Sequence, residues 1–276
     1  MTGEPHVSCD AKVEKGEISP IQSIANLPTE DLSRFTSIAL GHLLIHYGLW
    51  FAETASQLNP DKAEEVEETV RHRYWPAAVK RLGPHLAPAT GLGEENFSSP
   101  ANRPRLLELI QDAAKTWVME DGLWFQAIES RFGMVQAKSI NDAVWALFAR
   151  FEAHKIRRFL KLPPDGGLTA LEQALPLRLY SLINHHITTW NSDGSLVFTM
   201  TSCRVQEARR RKGMAGYPCK SAGMVEYTEF ASSIDARLVT ECVYCPPDDL
   251  PEDAFCAWKF SFTLATTNKH SEIQRL

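Results

Sequence analysis

The chain has 276 residues, of which 44% are hydrophobic, and it contains six cysteines. A chain of this length can bury one large core or two smaller ones, so disulfides are not needed to hold the fold. The formal net charge of −5 argues against nucleic acid as the main partner.

The predicted compartment follows from what the chain lacks. Residues 1–17 are polar and mixed in charge, without the apolar run of a signal peptide. No stretch of about eighteen consecutive apolar residues is present that would span a bilayer. We therefore expect a cytoplasmic protein without a membrane partner. In that reducing compartment, clustered cysteines are more often metal ligands or reactive thiols than structural bridges.

Residues 27–186 are predicted to form a helical half, preceded by a flexible tail over residues 1–26. Thr29 can accept a hydrogen bond from the first-turn amides of a helix, and the acidic residues that follow it suit the positive end of the helix dipole. Asn59-Pro60 ends this helix and opens a second one through about Leu82. Residues 83–103, which carry Pro and Gly, are predicted to be a loop.

An internal repeat is visible in the helical half. The segment Gly48-Leu49-Trp50-Phe51 returns as Gly122-Leu123-Trp124-Phe125, an offset of 74 residues. Two helical hairpins of related design would explain this pattern, because each pair of helices has an apolar face that it cannot bury alone. The repeat is also a candidate surface for a homo-oligomer.

The period of the pattern changes near residue 187. A helix is predicted for Thr169–His186, with a kink at Pro176. Asp193-Gly194 then predicts a tight turn between strands at 187–190 and 195–201, because Gly tolerates the positive φ of such turns. The remaining elements are helices at 204–212 and 225–234 and paired strands at 237–244 and 257–264. The sequence thus predicts an α+β fold, with a small antiparallel sheet in a cysteine-rich half at 187–265 and a second flexible tail at 266–276.

Five of the six cysteines fall within 54 residues, and each lies at the predicted end of an element: Cys203, Cys219, Cys242, Cys245 and Cys256. Element ends can converge on one point. The Cys242–Cys245 turn could place two sulfurs near one ion, and two further thiolates would complete a zinc or iron–sulfur site. Three interpretations remain open at this stage: a metal or cluster, a reactive thiol, and inert buried thiols.

Other candidate residues are fewer. His42 and His46 have the four-residue spacing of metal ligands, but no Glu follows His42 in the zincin manner and the surroundings are apolar, so neither is assigned. Glu226 and Asp235 lie between Cys219 and Cys242 in sequence and could bring a carboxylate to the same pocket. For Asp235, a turn contact with Arg237 is the alternative.

The cysteines and their neighbours form a recognisable set of segments: Asp121-Gly122-Leu123-Trp124-Phe125, Val144-Trp145, Cys203-Arg204-Val205-Gln206-Glu207-Ala208-Arg209, Pro218-Cys219-Lys220, Val225-Glu226-Tyr227, Cys245-Pro246-Pro247-Asp248 and Cys256-Ala257-Trp258-Lys259-Phe260. Together these segments resemble the L-2-amino-thiazoline-4-carboxylate hydrolase-like family of cytosolic proteins, and the resemblance covers about residues 105–262. Two positions depart from the family pattern. Asp249-Leu250 stands where relatives often carry His, and Ala236 stands where many carry Pro.

The resemblance implies a hydrolase that acts on C–N or C=N bonds of a small sulfur- or nitrogen-containing heterocycle or amide. A related branch opens the thiazoline ring by adding water to the C=N carbon, giving N-carbamoyl-cysteine. We expect a metal-bound water or the Cys203 thiolate to attack that carbon, with Glu226 or Asp235 as proton carrier.

The predicted cofactor is zinc or an iron–sulfur cluster, held by the five clustered cysteines. The alternative prediction is a non-catalytic metal or iron–sulfur protein with a redox or small-molecule-binding role.

Overall fold

The computed structural model describes residues 13–14, 16–86, 99 and 102–263. The fold is α+β, as predicted. In the described ranges the helices and strands are α1 (Thr29–Gln57), α2 (Pro60–Leu86), α3 (Arg103–Leu160), α4 (Gly167–Ala174), α5 (Arg204–Arg211) and α6 (Lys220–Ile234), and β1 (Val13–Glu14), β2 (His186–Trp190), β3 (Leu196–Met200), β4 (Leu238–Tyr244) and β5 (Cys256–Phe262).

The helix α3 folds back on itself at Gly133. This residue has φ 84° and ψ 169°, a conformation that only glycine adopts readily. The rings of Trp117 and Trp145 lie 5.6 Å apart across the reversal, whereas a straight helix would separate them by about 42 Å. The two arms of α3 therefore form a helical hairpin.

A second hairpin, α1–α2, packs against α3. Trp50 of α1 and Trp124 of α3, which are equivalent positions in the predicted repeat, stack with ring centroids 6.2 Å apart and an interplanar angle of 8°. Such a pair contributes about 0.5–1.5 kcal/mol beyond its buried area. The arrangement is consistent with the repeat, which remains a prediction.

By length and composition alone, α1 could also span a membrane. In this structure Leu32, Phe35 and Trp50 of α1 are buried in the core, whereas Leu44 is 77% exposed. The absence of a membrane partner therefore remains a prediction.

The sheet is antiparallel throughout, with strand order β1-β2-β3-β5-β4. The β2–β3 hairpin turns at Asp193-Gly194, as predicted, and Gly194 has φ 77°. The helix α6 buries Tyr227, Phe230 and Ile234 in the same core as the sheet residue Trp258. A junction between α3, α6 and the strand ends results.

The helix predicted for Thr169–His186 is wrong beyond Ala174. A short 3-10 turn follows at Leu175–Leu177, and His186 already belongs to β2. Pro176 is the physical reason, because proline has no N–H to continue the helical hydrogen bonds. The helix α6, in contrast, begins at Lys220, five residues earlier than predicted.

The predicted flexible tail at residues 1–26 is wrong for its described part. Val13–Glu14 pairs with β2, Ile18 forms a bridge with His186, and the side chain of Ile24 is fully buried. Residues 1–12, and the predicted tail at 266–276, lie outside the described residues. The loop predicted for 83–103 begins later than expected, since α2 continues to Leu86, and most of its remainder also lies outside the described residues.

Gly223 lets α6 approach the sheet closely. A Cβ at this position would lie 2.3 Å from Cζ2 of Trp258, whose ring is buried and stacked on Tyr227. We expect Gly223→Ala to reduce the free energy of unfolding by about 1–3 kcal/mol, because the ring cannot move without displacing its neighbours. Urea unfolding followed by circular dichroism measures this change.

Gly41 of α1 provides the matched control. A Cβ there would meet nothing within 4 Å, so Gly41→Ala is expected to raise the free energy of unfolding by about 0.5–1 kcal/mol through helix propensity alone. Equal effects of the two substitutions would contradict close packing at Gly223.

Candidate functional site

A cavity of about 80 Å³ lies at the junction of α3, α6 and the strand ends. It has room for about three water molecules, or for a small ligand of similar size. Its wall combines thiols, carboxylates and other polar groups with aromatic rings: Cys203, Cys219, Cys245, Cys256; Asp121, Glu226, Asn141, Gln206; Trp145, Tyr180, Tyr217, Tyr227, Phe255 and Trp258.

The structure brings four of the five clustered cysteines to this cavity, and each comes from the end of an element. Cys203 precedes α5, Cys219 precedes α6, Cys245 follows β4, and Cys256 begins β5. Cys242 is different, because it lies within β4, three residues before Cys245, and does not line the cavity. A β-bulge interrupts β4 between Cys242 and Tyr244, so the regular alternation of strand faces does not extend from Cys242 to Cys245.

Cys219 has the lowered pKa of a reactive thiol. A hydrogen bond from Cys245 is the largest cause, and burial opposes it. Gln206 also donates to the sulfur, at 3.0 Å from Nε2 to Sγ, and the charge of Lys138 favours the thiolate, whereas Glu226 disfavours it. The residue occupies the N-cap position of α6, without a side-chain capping bond, at the end of the helix where the dipole stabilises negative charge.

The other buried thiols hold their protons. Burial raises the pKa of Cys203 to about 12, although Tyr180 Oη lies 3.0 Å from its sulfur. Hydrogen bonds with Cys219 and Cys256 raise the pKa of Cys245. At neutral pH, Cys219 is therefore the better nucleophile among these three thiols, because the thiolate is the reactive form.

Glu226 lies on the cavity wall, seven residues after Cys219 and hence two turns along the same face of α6. Its Oε1 is 2.7 Å from Nη2 of Arg178, whose Nε in turn donates to Glu152 at 2.8 Å. Burial raises the pKa of Glu226 and outweighs the attraction of Arg178. A carboxyl group with a raised pKa can hold a proton for transfer.

Asp121 is a cavity residue that the sequence analysis did not assign. Burial raises its pKa to about 7, although Trp50 Nε1 lies 3.3 Å from its Oδ1. Behind it, His46 Nδ1 is 3.2 Å from Glu120 Oε1, and His46 Nε2 is 3.6 Å from Asp121 Oδ1. The available signal was an acidic pair, Glu120-Asp121, directly beside the apolar segment Gly122–Phe125.

The raised pKa of Asp121 predicts a pH-dependent stability. The folded state holds this proton up to about pH 7, whereas the unfolded chain releases it near 3.8. Stability from this group is fully present below the unfolded value and is lost as the pH rises through the folded value. Asparagine at position 121 is neutral at every pH. As the pH increases from about 4 to 7, the free energy of unfolding of Asp121→Asn should therefore increase relative to that of the wild type.

Urea unfolding of both proteins across this pH range measures the difference. The exposed Asp249, changed to Asn, is the matched control. A constant difference between Asp121→Asn and the wild type at all pH values would contradict the buried, protonated carboxyl.

Asp235, predicted as a proton carrier, does not line the cavity. Its carboxylate accepts hydrogen bonds from Arg237 and from the backbone N–H of Gly167, at 2.9 Å to Oδ2. The hydrogen bond from Arg237 is the main reason that its pKa is lowered to about 2, with burial acting in the opposite direction. Asp235 thus fastens α4 to the start of β4, which is the turn contact considered as the alternative.

The metal site expected at the five clustered cysteines stays a prediction. Among the residues that the structure describes, no group of three or more His, Cys, Asp or Glu side chains is placed so that it could hold a metal ion. We therefore derive no chemical step through zinc or an iron–sulfur cluster. Metal analysis of anaerobically prepared protein measures whether zinc or iron is bound.

Comparison with known proteins adds a family but no activity. A model described as a family of unknown function (DUF6125) matches residues 100–262, a range that includes every residue lining the cavity and excludes α1 and α2. No curated protein and no solved structure matches the chain. Because the match covers more than half of its length, the chain belongs to the family of unknown function (DUF6125).

Proposed function

We propose that this protein is a thiol-dependent hydrolase that acts on a C–N or C=N bond of a small nitrogen compound bound in the cavity. Cys219 is the nucleophile in this proposal, in place of the Cys203 expected from the sequence. The observation that carries the proposal is the lowered pKa of Cys219 at the cavity wall, on the same helix face as Glu226.

The chemistry proposed for the site has two stages. The Cys219 thiolate adds to the C=O or C=N carbon and forms an S–C bond; a substrate nitrogen takes a proton from Glu226 or Asp121, and its C–N bond breaks as the double bond to that carbon re-forms. A water molecule then adds to the carbon of the resulting thioester or thioimidate and gives a proton to the carboxylate. The double bond re-forms once more as the S–C bond breaks, which releases the product and restores the thiolate. The raised pKa values of both carboxyl groups support this proton-carrying role.

Charge in the cavity narrows the substrate class. Among the described residues that line it, two carry carboxyl groups and none is Lys, Arg or His. Arg178, behind the wall, is already paired with Glu152 and Glu226. A substrate carboxylate would have no cation to meet it, so we favour a neutral or cationic nitrogen compound over the carboxylate-bearing ring that the related branch opens.

Three thiol-alkylating probes of similar size test this proposal: chloroacetamidine, chloroacetamide and chloroacetate. Each rate of Cys219 alkylation is divided by the rate with free cysteine, which removes the intrinsic reactivity of the probe. We expect the normalised rates for the amidine and the amide to exceed that for the carboxylate. Peptide mass spectrometry locates the label, and Glu226→Gln is expected to reduce the preference for the amidine.

The outcome that contradicts the proposal is a normalised preference for chloroacetate, or no label at Cys219 with any probe.

Turnover of cyclic amidines and amides is the second test of the proposal. Loss of turnover in Cys219→Ser and its retention in Cys242→Ser are expected, since Cys242 lies outside the cavity. Turnover by Cys219→Ser would exclude the thiol mechanism.

A further inference from the structure

We propose that Cys219 and Cys245 form a reversible disulfide when the protein meets a hydroperoxide. The disulfide needs only these two thiols and the oxidant, so it goes beyond the proposed function. Its consequence, loss of hydrolysis because the nucleophile is consumed, rests on that function.

Two backbone segments hold the cysteines side by side. The N–H of Lys220, next to Cys219, donates to the carbonyl oxygen of Pro246, next to Cys245, at 2.9 Å. The Asp248 carboxylate ties the same segments a second time, accepting from the N–H of Cys245 at 3.2 Å and from Nζ of Lys220 at 2.8 Å. Neighbouring backbones fixed in this way favour close approach of the two side chains.

Both thiols line the same cavity. Cys245 is the largest cause of the lowered pKa of Cys219. Cys219 is partly exposed at the cavity, whereas Cys245 is 1% exposed. An oxidant entering the cavity therefore meets the more reactive thiol first, with a second thiol in contact behind it.

The chemistry balances in two steps. The Cys219 thiolate attacks one oxygen of the hydroperoxide and becomes a sulfenic acid, and the other oxygen leaves with a proton as an alcohol, or as water when the oxidant is hydrogen peroxide. The Cys245 thiol, as its proton departs, attacks the Cys219 sulfur and forms the S–S bond, and the hydroxyl of the sulfenic acid leaves as water. Two thiols together supply the two electrons that reduce the peroxide.

Cys256 is the competing partner, because it lines the same cavity and also raises the pKa of Cys245. The backbone favours Cys245, since the N–H of Lys220 bonds to Pro246 beside it, whereas Cys256 pairs with Met200 of β3. Once Cys219 is oxidised, Cys245 is therefore the resolving thiol. The Cys203 sulfur is instead hydrogen-bonded to the hydroxyl group of Tyr180.

The test treats the full reduced chain with equimolar hydrogen peroxide, blocks the remaining thiols by alkylation, and maps the peptides by mass spectrometry. We expect a Cys219–Cys245 cross-linked peptide, the loss of two free thiols, and full reversal by dithiothreitol. Cys256→Ser and Cys242→Ser should form the same cross-link. Cys245→Ser should instead accumulate a sulfenic acid at Cys219 that a 1,3-dione traps.

Three outcomes would overturn the proposal: a Cys245–Cys256 cross-link in the wild type, an unmodified Cys219, or loss of the cross-link in Cys256→Ser. The wild-type map decides the question even if Cys245→Ser fails to fold. The disulfide is detected as a cross-linked peptide mass, and no substrate is needed. The proposed hydrolase is tested separately, by alkylation of the reduced protein, so failure of one proposal can be distinguished from failure of the other.

Discussion

The Arg178→Met variant is expected to lose about 3–5 kcal/mol of the free energy of unfolding, because the substitution leaves uncompensated buried charge. The Arg178 guanidinium is 1% exposed and is paired with Glu152, also 1% exposed, and with Glu226. It also lies 4.6 Å from the ring centroid of Phe230. Methionine keeps much of the side-chain volume but no charge and no donor. Urea unfolding monitored by tryptophan fluorescence measures the loss.

Arg150 is the matched control for this variant. It pairs with Glu229 at the surface, where its side chain is 57% exposed, so Arg150→Met should cost less than about 1 kcal/mol. Adding Glu152→Gln and Glu226→Gln to Arg178→Met should recover part of the lost stability, since the stranded carboxylates become neutral. Equal losses for Arg178→Met and Arg150→Met would contradict the buried ion network.

The Cys219→Ser variant is expected to lose the fast-reacting thiol of the cavity completely. An ordinary thiol is only a few per cent thiolate at pH 7, and a lowered pKa increases that fraction. Intrinsic nucleophilicity falls in part compensation, which leaves a net gain of roughly three- to fourfold for each unit by which the pKa falls. Alkylation by iodoacetamide at pH 7, followed by peptide mapping, should therefore label Cys219 before Cys242, whose pKa burial raises.

Cys203→Ser is the matched variant for this experiment, since Cys203 lines the same cavity but holds its proton. Cys203→Ser should keep the fast phase of alkylation, which belongs to Cys219. If the fast phase of alkylation survives in Cys219→Ser and disappears in Cys203→Ser, the nucleophile is Cys203, as expected from the sequence. That result would contradict the lowered pKa of Cys219.

The parts of the fold that were predicted correctly depend on local signals. Asp193-Gly194 specifies a hairpin turn from adjacent residues. Thr29 begins α1 as predicted, but the capping bond expected from its side chain is absent, because Pro28 occupies the N-cap position. The strand β1 could not be found in this way, because Val13–Glu14 becomes a strand only by pairing with β2, more than 170 residues later. The reversal of α3 at Gly133 was also missed, since a single glycine within a helical pattern is an ambiguous signal.

In the candidate site too, local signals could be read from the sequence, whereas contacts between distant segments could not. Cysteines at element ends indicated where thiols could gather, and four of the five line the cavity. Asp121 was missed because it lies in α3, about 100 residues before α6, and only the packing of these two helices brings its carboxyl near Glu226. The sequence also could not rank Cys219 above Cys203, because the ranking depends on hydrogen bonds and burial in the folded protein.

The central claim is that Cys219 is present as a thiolate at lower pH than an ordinary cysteine. The ultraviolet absorbance of thiolate, titrated for the wild type and for Cys219→Ser under anaerobic conditions, gives the pKa of this residue from the difference between the two curves. The account predicts a transition below the pKa of a free thiol. A difference curve that rises at or above that value would contradict it, and Cys219 would then be protonated at neutral pH, as Cys203 is.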